Sequence, residues 1–137
     1  MTDQQIESEI QAKGLTAPRV LPADIAAAIA SEHFFTGADG FVGLDAVNRD
    51  SAGERIESYA AIPPALSRLT FCVLLLTNGF TVTGESACAS PENFDAEIGR
   101  KIARQNAEAK IWPLLGFRLR DTLANRGVPH TDGRPIW

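Results

Sequence analysis

Between Leu69 and Leu119 the spacing of apolar positions changes from alternation to a helical period, which predicts two strands, a tight turn and a long helix. In the first strand Leu69, Phe71, Val73 and Leu75 share one face. Asn78-Gly79 follows as a two-residue hairpin signal, because a type I′ turn needs positive φ at both central positions. That turn sets Thr77 opposite Phe80, Leu75 opposite Val82, Val73 opposite Gly84 and Phe71 opposite Ser86, gathering the apolar residues on one core face. Thr70, Cys72, Leu74, Leu76, Thr81, Thr83 and Glu85 then form a mixed face. Its apolar part near the turn calls for cover by another strand, a helix or a second subunit.

The helix start is marked by Ser90 as N-cap, Pro91 at the first helical position, and Glu92 and Asp95 in the first turn. Phe94, Ile98, Ile102, Gln105, Ala109 and Trp112 recur at helical spacing. A second stripe of small side chains, Ala96, Gly99, Ala103 and Ala107, permits close approach of another backbone, either a sheet of the same chain or a second subunit. Pro113 is expected to kink or end the helix near Trp112, with Gly116 offering a further break before Phe117 to Leu123.

Upstream, Asp3 to Lys13 predicts a short helix carrying Ile6 and Ile10 and ended by Gly14, followed by an extended linker to Leu21. Pro22 opens a second helix expected to run through Ser31 or Phe34. Thr36 to Pro64, punctuated by glycines, reads as a functional loop or as one containing a short strand. The tail ANRGVPHTDGRPIW is polar, with Ile136 and Trp137 as its only candidates for docking. The fold class is therefore α+β: an antiparallel sheet built on a β-hairpin, a long C-terminal helix packed on it, and one or two N-terminal helices. The expected organisation is a helix and linker over 1–21, a single α+β domain over 22–124 and a flexible tail over 125–137.

Composition narrows the function classes. The chain has 137 residues, with 13 basic and 17 acidic side chains and a net charge of -4. Such a balance gives no global field favouring long nucleic acid or a membrane, so any anion site must be local. The acidic N-terminus MTDQQIESEI lacks the features of a signal peptide, and the apolar run Phe71 to Leu76 is too short to span a bilayer. A cytoplasmic protein is the expectation. The predicted register sends Cys72 and Cys88 to opposite faces, so both are expected as free thiols. Two histidines, His33 and His130, have no metal-ligand spacing with them.

Candidate binding chemistry lies on the long helix. Arg100 and Arg104 are four residues apart with Lys101 between them, and guanidinium groups suit phosphate through bidentate, permanently charged donors. A solvated face explains the same residues, since Glu97–Lys101 and Arg104–Glu108 are i,i+4 pairs of opposite charge. If Arg104 is an exposed ligand contact, Arg104→Glu is expected to weaken binding while leaving stability within about a few tenths of a kcal/mol. The strand-to-helix loop GESACASPEN offers Ser86 and Asn93 near free helix amides, although Glu92 and Asp95 repel an anion placed directly there, and simple capping accounts for the loop equally well. Phe94, like Phe80, Trp112 and Phe117, suits stacking on a base, but Phe80 and Phe94 also fit core packing. His33 is expected to be buried and hydrogen-bonded, since no motif ties a nucleophile to it, and no catalytic constellation is present.

The stretch LTFCVLLLTNGFTVTGESACASPENFDAEIGRKIARQNAEAKIWPLLGFRL, with ASEHFFTGADG upstream, closely resembles a family of small tailed-phage proteins of the N-four/Sf-six type. The blocks TNGFTVTGESAC and NFDAEIGRKIA carry the likeness most specifically. Part of that family looks like the type-one Thoeris anti-defence proteins, sponges that sequester the cyclic ADP-ribose isomers made by bacterial TIR-domain immune enzymes. The resemblance implies a binding protein without catalytic activity or cofactor, acting in the cytoplasm of the infected host. It further implies a cyclic ADP-ribose isomer or related cyclic nucleotide as partner, and a homo-oligomer, dimer or hexamer, with ligand held between protomers. Arg100, Arg104, Asn93, Lys101, Ser86 and Phe94 are the expected ligand contacts, chosen for their chemistry at matching positions. The alternative from another class is a phage accessory protein that binds and inhibits a host protein.

Overall fold

A computed structural model describes residues 2–15, 17–52 and 61–126. Its elements in chain order are α1 (Asp3–Ala12), α2 (Pro22–Ala28), β1 (Ile29–Thr36), α3 (Gly37–Ala52), β2 (Leu69–Leu76), β3 (Thr81–Ala87), α4 (Ala96–Ala109) and α5 (Ile111–Asn125), with short 3-10 turns at Pro64–Arg68 and Pro91–Asn93. The fold is α+β, as expected. It divides into two compact units, one holding α1, α2 and α5 and the other running from β1 to α4.

In the second unit the three strands form an antiparallel sheet in the order β1-β2-β3. The hairpin exists where the alternation placed it, but its register is shifted by one residue: Leu75 pairs with Thr81, Leu74 with Val82, Cys72 with Gly84 and Thr70 with Ser86. The reason lies in the turn. Leu76 N–H donates to Phe80 O at 2.8 Å and Gly79 N–H to Leu76 O at 2.9 Å, leaving a three-residue loop, Thr77-Asn78-Gly79. Gly79 alone takes positive φ, +88°, while Asn78 does not. This is a type I turn closed by a left-handed glycine, which Asn-Gly serves as readily as it serves a two-residue turn. Asn78 accepts from Phe80 N–H through Oδ1 at 3.0 Å.

A one-residue slip exchanges the faces of a strand. Accordingly, Thr70, Cys72, Leu74 and Leu76 are the buried set on β2, together with Val82 and Gly84 on β3. Leu69, Phe71 and Val73, expected in the core, are half-buried, and Leu75 is exposed. Both cysteines are free. The expected reason was wrong, however: Cys72 and Cys88 are four residues apart along the paired strands, about 13 Å at the usual rise, rather than on opposite faces.

Helix α4 packs on β2 and β3 through Gly99, Ala103 and Ala107, which are buried. The small stripe thus serves helix-to-sheet contact within the chain. Gly84 is the point of closest approach, where a Cβ would stand 2.2 Å from both Ala103 O and Ala107 N. Ile98 and Ile102, from the larger stripe, remain 55% and 43% exposed.

The start of α4 is set by Asp95, whose Oδ1 accepts from Ile98 N–H at 3.0 Å. Ser90 instead caps the preceding 3-10 turn by position, with no side-chain hydrogen bond. Pro113 ends α4 one turn earlier than expected, since its ring excludes the carbonyl four residues back, that of Ala109. Within α5 Pro113 falls in the first turn, where a missing N–H costs nothing, and Gly116 does not break the helix. The first residue of the expected tail, Asn125, is helical, whereas Ile136 and Trp137 lie outside the described residues.

Two further elements differ from expectation. The second helix stops at Ala28, and Ile29 to Thr36 form β1, paired with β2 through Phe34↔Cys72, His33↔Val73 and Glu32↔Leu74. Leucine-rich β2 supplies partners for β-branched and aromatic side chains that local helix propensity had outweighed. The Gly-rich stretch opens with α3, begun by a reciprocal cap in which Thr36 N–H donates to Asp39 Oδ2 at 2.9 Å and Asp39 N–H to Thr36 Oγ1 at 3.1 Å. Residues 53–60 of that stretch lie outside the described set.

In the first unit α1 follows expectation. Thr2 and Gln5 form a capping box, and Gly14, with φ +69°, closes the helix. Leu15 N–H donates to Ile10 O and Gly14 N–H to Gln11 O, the paired bonds of a Schellman end. Glu7 is buried, and its Oε1 accepts from Arg19 Nη2 and, at 3.2 Å, from Gln11 Nε2. The Arg19 hydrogen bond is the main cause holding the Glu7 carboxyl below its ordinary 4.5; burial opposes it, and the Gln11 bond and the Arg19 charge assist.

Replacing Gly84 with alanine should lower stability by about 3 kcal/mol, the upper end of overpacking costs, because helix backbone rather than a side chain occupies the space. Gly116→Ala, where nothing lies within 4 Å of the new Cβ, should instead gain about 0.5–1 kcal/mol. Urea titration followed by circular dichroism measures both, and a neutral Gly84→Ala would contradict the packing. For Glu7 the folded pKa lies below the unfolded one, so its contribution is complete above about 4.5 and is lost as pH falls through the folded value. Thermal melts should show the gap between native protein and Glu7→Gln narrowing below that pH; parallel curves would mean that the carboxylate is not held by Arg19.

Candidate functional site

Every residue expected to contact ligand belongs to the second unit, around α4 and the loop leading into it. Gly99, Ala103 and Ala107 face the sheet, so the helical period divides the remaining side chains of α4 into two flanks. One flank, toward β1, carries Arg100 and Arg104. The other, toward β3, carries Ile98, Ile102 and Asn106, whose Nδ2 donates to Glu85 O at 2.9 Å.

Arg104 is not a free cation. Its Nε donates to Glu32 Oε2 on β1 at 2.6 Å and its Nη1 to Glu108 Oε2 at 2.8 Å. These carboxylates, the Glu32 hydrogen bond above all, hold its pKa above the ordinary arginine value. Its first role is to tie α4 to β1. Lys101 lies on the outer ridge, exposed and 3.3 Å from Glu97. Arg100 is exposed and forms no ion pair with a described residue. Of the three cations read from the sequence, it alone keeps its donors available.

The other expected contacts gather at the N-terminal end of α4. A Cβ on Gly99 would lie 3.0 Å from Thr70 Oγ1 and 3.9 Å from Phe94 Cε2, so the half-buried Phe94 ring packs against the first turn of the helix. Thr70 is flanked across the sheet by Thr36 and Ser86, both half-buried, giving a row of three hydroxyls below Gly99. Asn93 is exposed in the 3-10 turn, and its side chain makes no hydrogen bond with a described residue.

The opposite sheet face carries Phe35, Phe71, Val73 and Leu75, with the Phe35 and Phe71 rings stacked at 5.4 Å. On that face His33 is exposed, contrary to expectation, because it sits on a strand at the sheet edge rather than at a helix end. Its Nε2 lies 3.0 Å from Ser31 Oγ, two residues along the same face. No carboxylate orients the imidazole among the described residues. Cys72 is fully buried, and burial, assisted by the Glu32 charge, pushes its thiol up, which disfavours a reactive thiolate. Among the described residues no three His, Cys, Asp or Glu side chains group to hold a metal ion, and no helix is long and apolar enough to cross a membrane.

Fold and site together define a small α+β protein whose accessible chemistry is an arginine-bearing helix flank above a three-stranded antiparallel sheet. The chain belongs to the phage protein (N4 Gp49/phage Sf6 gene 66) family, whose model matches residues 20–123. It is therefore a phage protein. No curated protein and no solved structure gives a significant match.

What sequence reasoning missed here is Glu32, the partner that engages Arg104 from 72 positions away. Nothing local in Ile29 to Thr36 signals that Glu32 lies on a strand within reach of α4. Since the ion pairs are about one-third to one-half exposed, Arg104→Ala should cost about 0.5–1 kcal/mol, shrinking as salt rises. Arg104→Glu should cost more, because it sets a third carboxylate between two, while Arg100→Ala should stay within about 0.5 kcal/mol of native. Urea titrations at low and high salt measure the series, and equal effects at the two arginines would contradict this division of roles.

Proposed function

We propose that this phage protein is an accessory anti-defence protein that binds a cyclic ADP-ribose isomer, or a related cyclic nucleotide, in the host cytoplasm and holds it without degrading it. The observation that carries this reading is Arg100, an exposed guanidinium with no ion pair to a described residue, on the flank where Arg104 is already engaged. A pyrophosphate-bearing ring calls for such a bidentate donor together with hydroxyls and an apolar or aromatic wall. Ser86, Thr36 and Phe94 at the same end of α4 have the matching chemistry, and Asn93 and Lys101 stand at its margins. The exposed Ile98–Ile102 flank supports assembly as a homo-oligomer, dimer or hexamer, because two large aliphatic side chains four apart on a helix form a contiguous apolar strip. Holding rather than cleaving is favoured by the buried Cys72 and by a Ser31–His33 pair with no orienting third group among the described residues.

A second reading, inhibition of a host protein, is favoured by one observation: Phe35 and Leu75 are 41% and 37% exposed on the sheet face turned away from α4, beside half-buried Phe71 and Val73. Calorimetry of the purified chain with cyclic ADP-ribose isomers separates the two. Saturable binding with ligand recovered intact after heating supports a sponge, and Arg100→Glu should then weaken it by about tenfold or more, the worth of a charge-assisted hydrogen bond. No binding across the ligand set, with capture of one host protein that Leu75→Asp abolishes, would overturn the leading reading.

A further inference from the structure

The first unit contains a cleft of about 260 Å³ between α2 and α5 whose walls combine two guanidinium groups with aliphatic surface. Arg19 and Arg118 supply the cations, Val20, Leu115 and Leu119 the apolar lining, and Asp24 and Thr122 complete the wall. Arg19 is only partly satisfied: its Nη2 is held by Glu7, while its Nε is buried without an acceptor. A buried N–H left in that state is disfavoured unless something accepts from it or offsets its charge. Arg118 is exposed and makes no ion pair with a described residue. The single carboxylate on the wall, Asp24, already accepts from Leu21 N–H through Oδ2 at 2.8 Å, and Thr122 donates its hydroxyl to Arg118 O at 3.1 Å. Two guanidinium groups thus stand against one carboxylate among the lining residues, an excess of positive charge on the wall.

We infer that this cleft is a second ligand site, which takes a small organic oxyanion, a phosphomonoester with a compact apolar body. The two arginines contact the anionic end, and the aliphatic side chains of Val20, Leu115 and Leu119 cover the body. Guanidinium groups select phosphate over a neutral isostere because their donors are planar and permanently charged. The volume lies just under the roughly 300–1,000 Å³ of drug-sized sites, which limits the occupant to something smaller than a cyclic dinucleotide. The site therefore belongs to the first unit, and it takes a smaller ligand than the Arg100 flank of the second.

Phenyl phosphate, titrated into the full chain by calorimetry, tests this directly, with phenol and inorganic phosphate as the two half-ligands. The expected result is saturable binding at millimolar concentration or tighter, with each half-ligand weaker than the whole. Arg118→Gln should weaken phenyl phosphate by about tenfold or more without moving the thermal midpoint, since Arg118 is exposed and unpaired among the described residues. Leu119→Asp, which places a carboxylate in the lining, should abolish binding. Arg100→Glu should leave it unchanged, so the result does not depend on the cyclic-nucleotide reading. Absence of saturable binding, insensitivity to Arg118→Gln, or loss of binding in Arg100→Glu would each overturn the assignment.

Discussion

Helix α4 lies so close to β3 that no side chain fits between them at Gly84, and the architecture of the second unit follows from that contact. Helices ordinarily pack on sheets through interdigitating side chains, at about 10 Å between layers. Here three small residues on the helix, Gly99, Ala103 and Ala107, meet a glycine on the strand, so backbone touches backbone. Gly84 must face the helix, and with it Val82 and, across the strand pair, Cys72 and Leu74. Turning the other face of β3 to the helix would present Thr83 and Glu85 to the Ala103 and Ala107 backbone, with both steric and desolvation costs.

That constraint also explains where the hairpin could be read from sequence and where it could not. The existence of β2, the turn at Asn78-Gly79 and β3 was plain from alternation and turn chemistry. The register was not, because Asn-Gly suits both a two-residue I′ turn and a three-residue loop ending in a left-handed glycine, and the two differ by one position. Local turn preference favoured the first; the chain takes the second, with Gly79 alone at positive φ. The clue was present in the pairing of a strand glycine with a small-residue helix stripe, since a glycine inside a strand marks close approach of another backbone. Assigning Gly84 to that stripe places Val82 on the same face by alternation, and the turn then decides that Cys72 and Leu74 rather than Val73 and Leu75 lie opposite them.

Other misreadings share a different cause. Ile29 to Thr36 follow an Ala-rich helix with no proline or glycine between them, so nothing local marks the change to β1; the strand exists because β2 offers it a partner. For α3 the signal was local and was outweighed by glycine content. Thr36 and Asp39 stand three apart, the spacing of a reciprocal cap, immediately before the helix they begin. At the end of α4, Pro113 acted as its chemistry requires, but through the carbonyl of Ala109, four residues back, so the break falls before Trp112 rather than at it. By contrast α1 was legible from end to end, because Thr2, Gln5 and Gly14 specify both of its ends without tertiary help.

The functional surfaces were legible as chemistry but not as availability. Among the described residues Lys13, Arg19, Lys101 and Arg104 pair with a carboxylate and others, such as Arg120 and Arg126, do not, so an arginine without an ion pair is informative only where further ligand chemistry lies beside it. Sequence spacing identifies partners three or four residues apart and no further. Arg104 is engaged by Glu32 across the sheet, and Arg19 by Glu7 from 12 positions away, so in each case a partner distant in sequence decides the matter. In each unit an arginine bound into the fold shares its surface with an exposed arginine that has no ion pair to a described residue: Arg104 with Arg100 on one flank of α4, and Arg19 with Arg118 in one cleft. The engaged member fixes the local backbone and restricts the geometry around it, while the other retains the donors a ligand would need. A ligand taken up on either surface as proposed would leave the scaffold arginine's ion pair in place. This arrangement avoids the cost of breaking an existing ion pair, a cost that would arise if Arg104 itself were the principal anion contact.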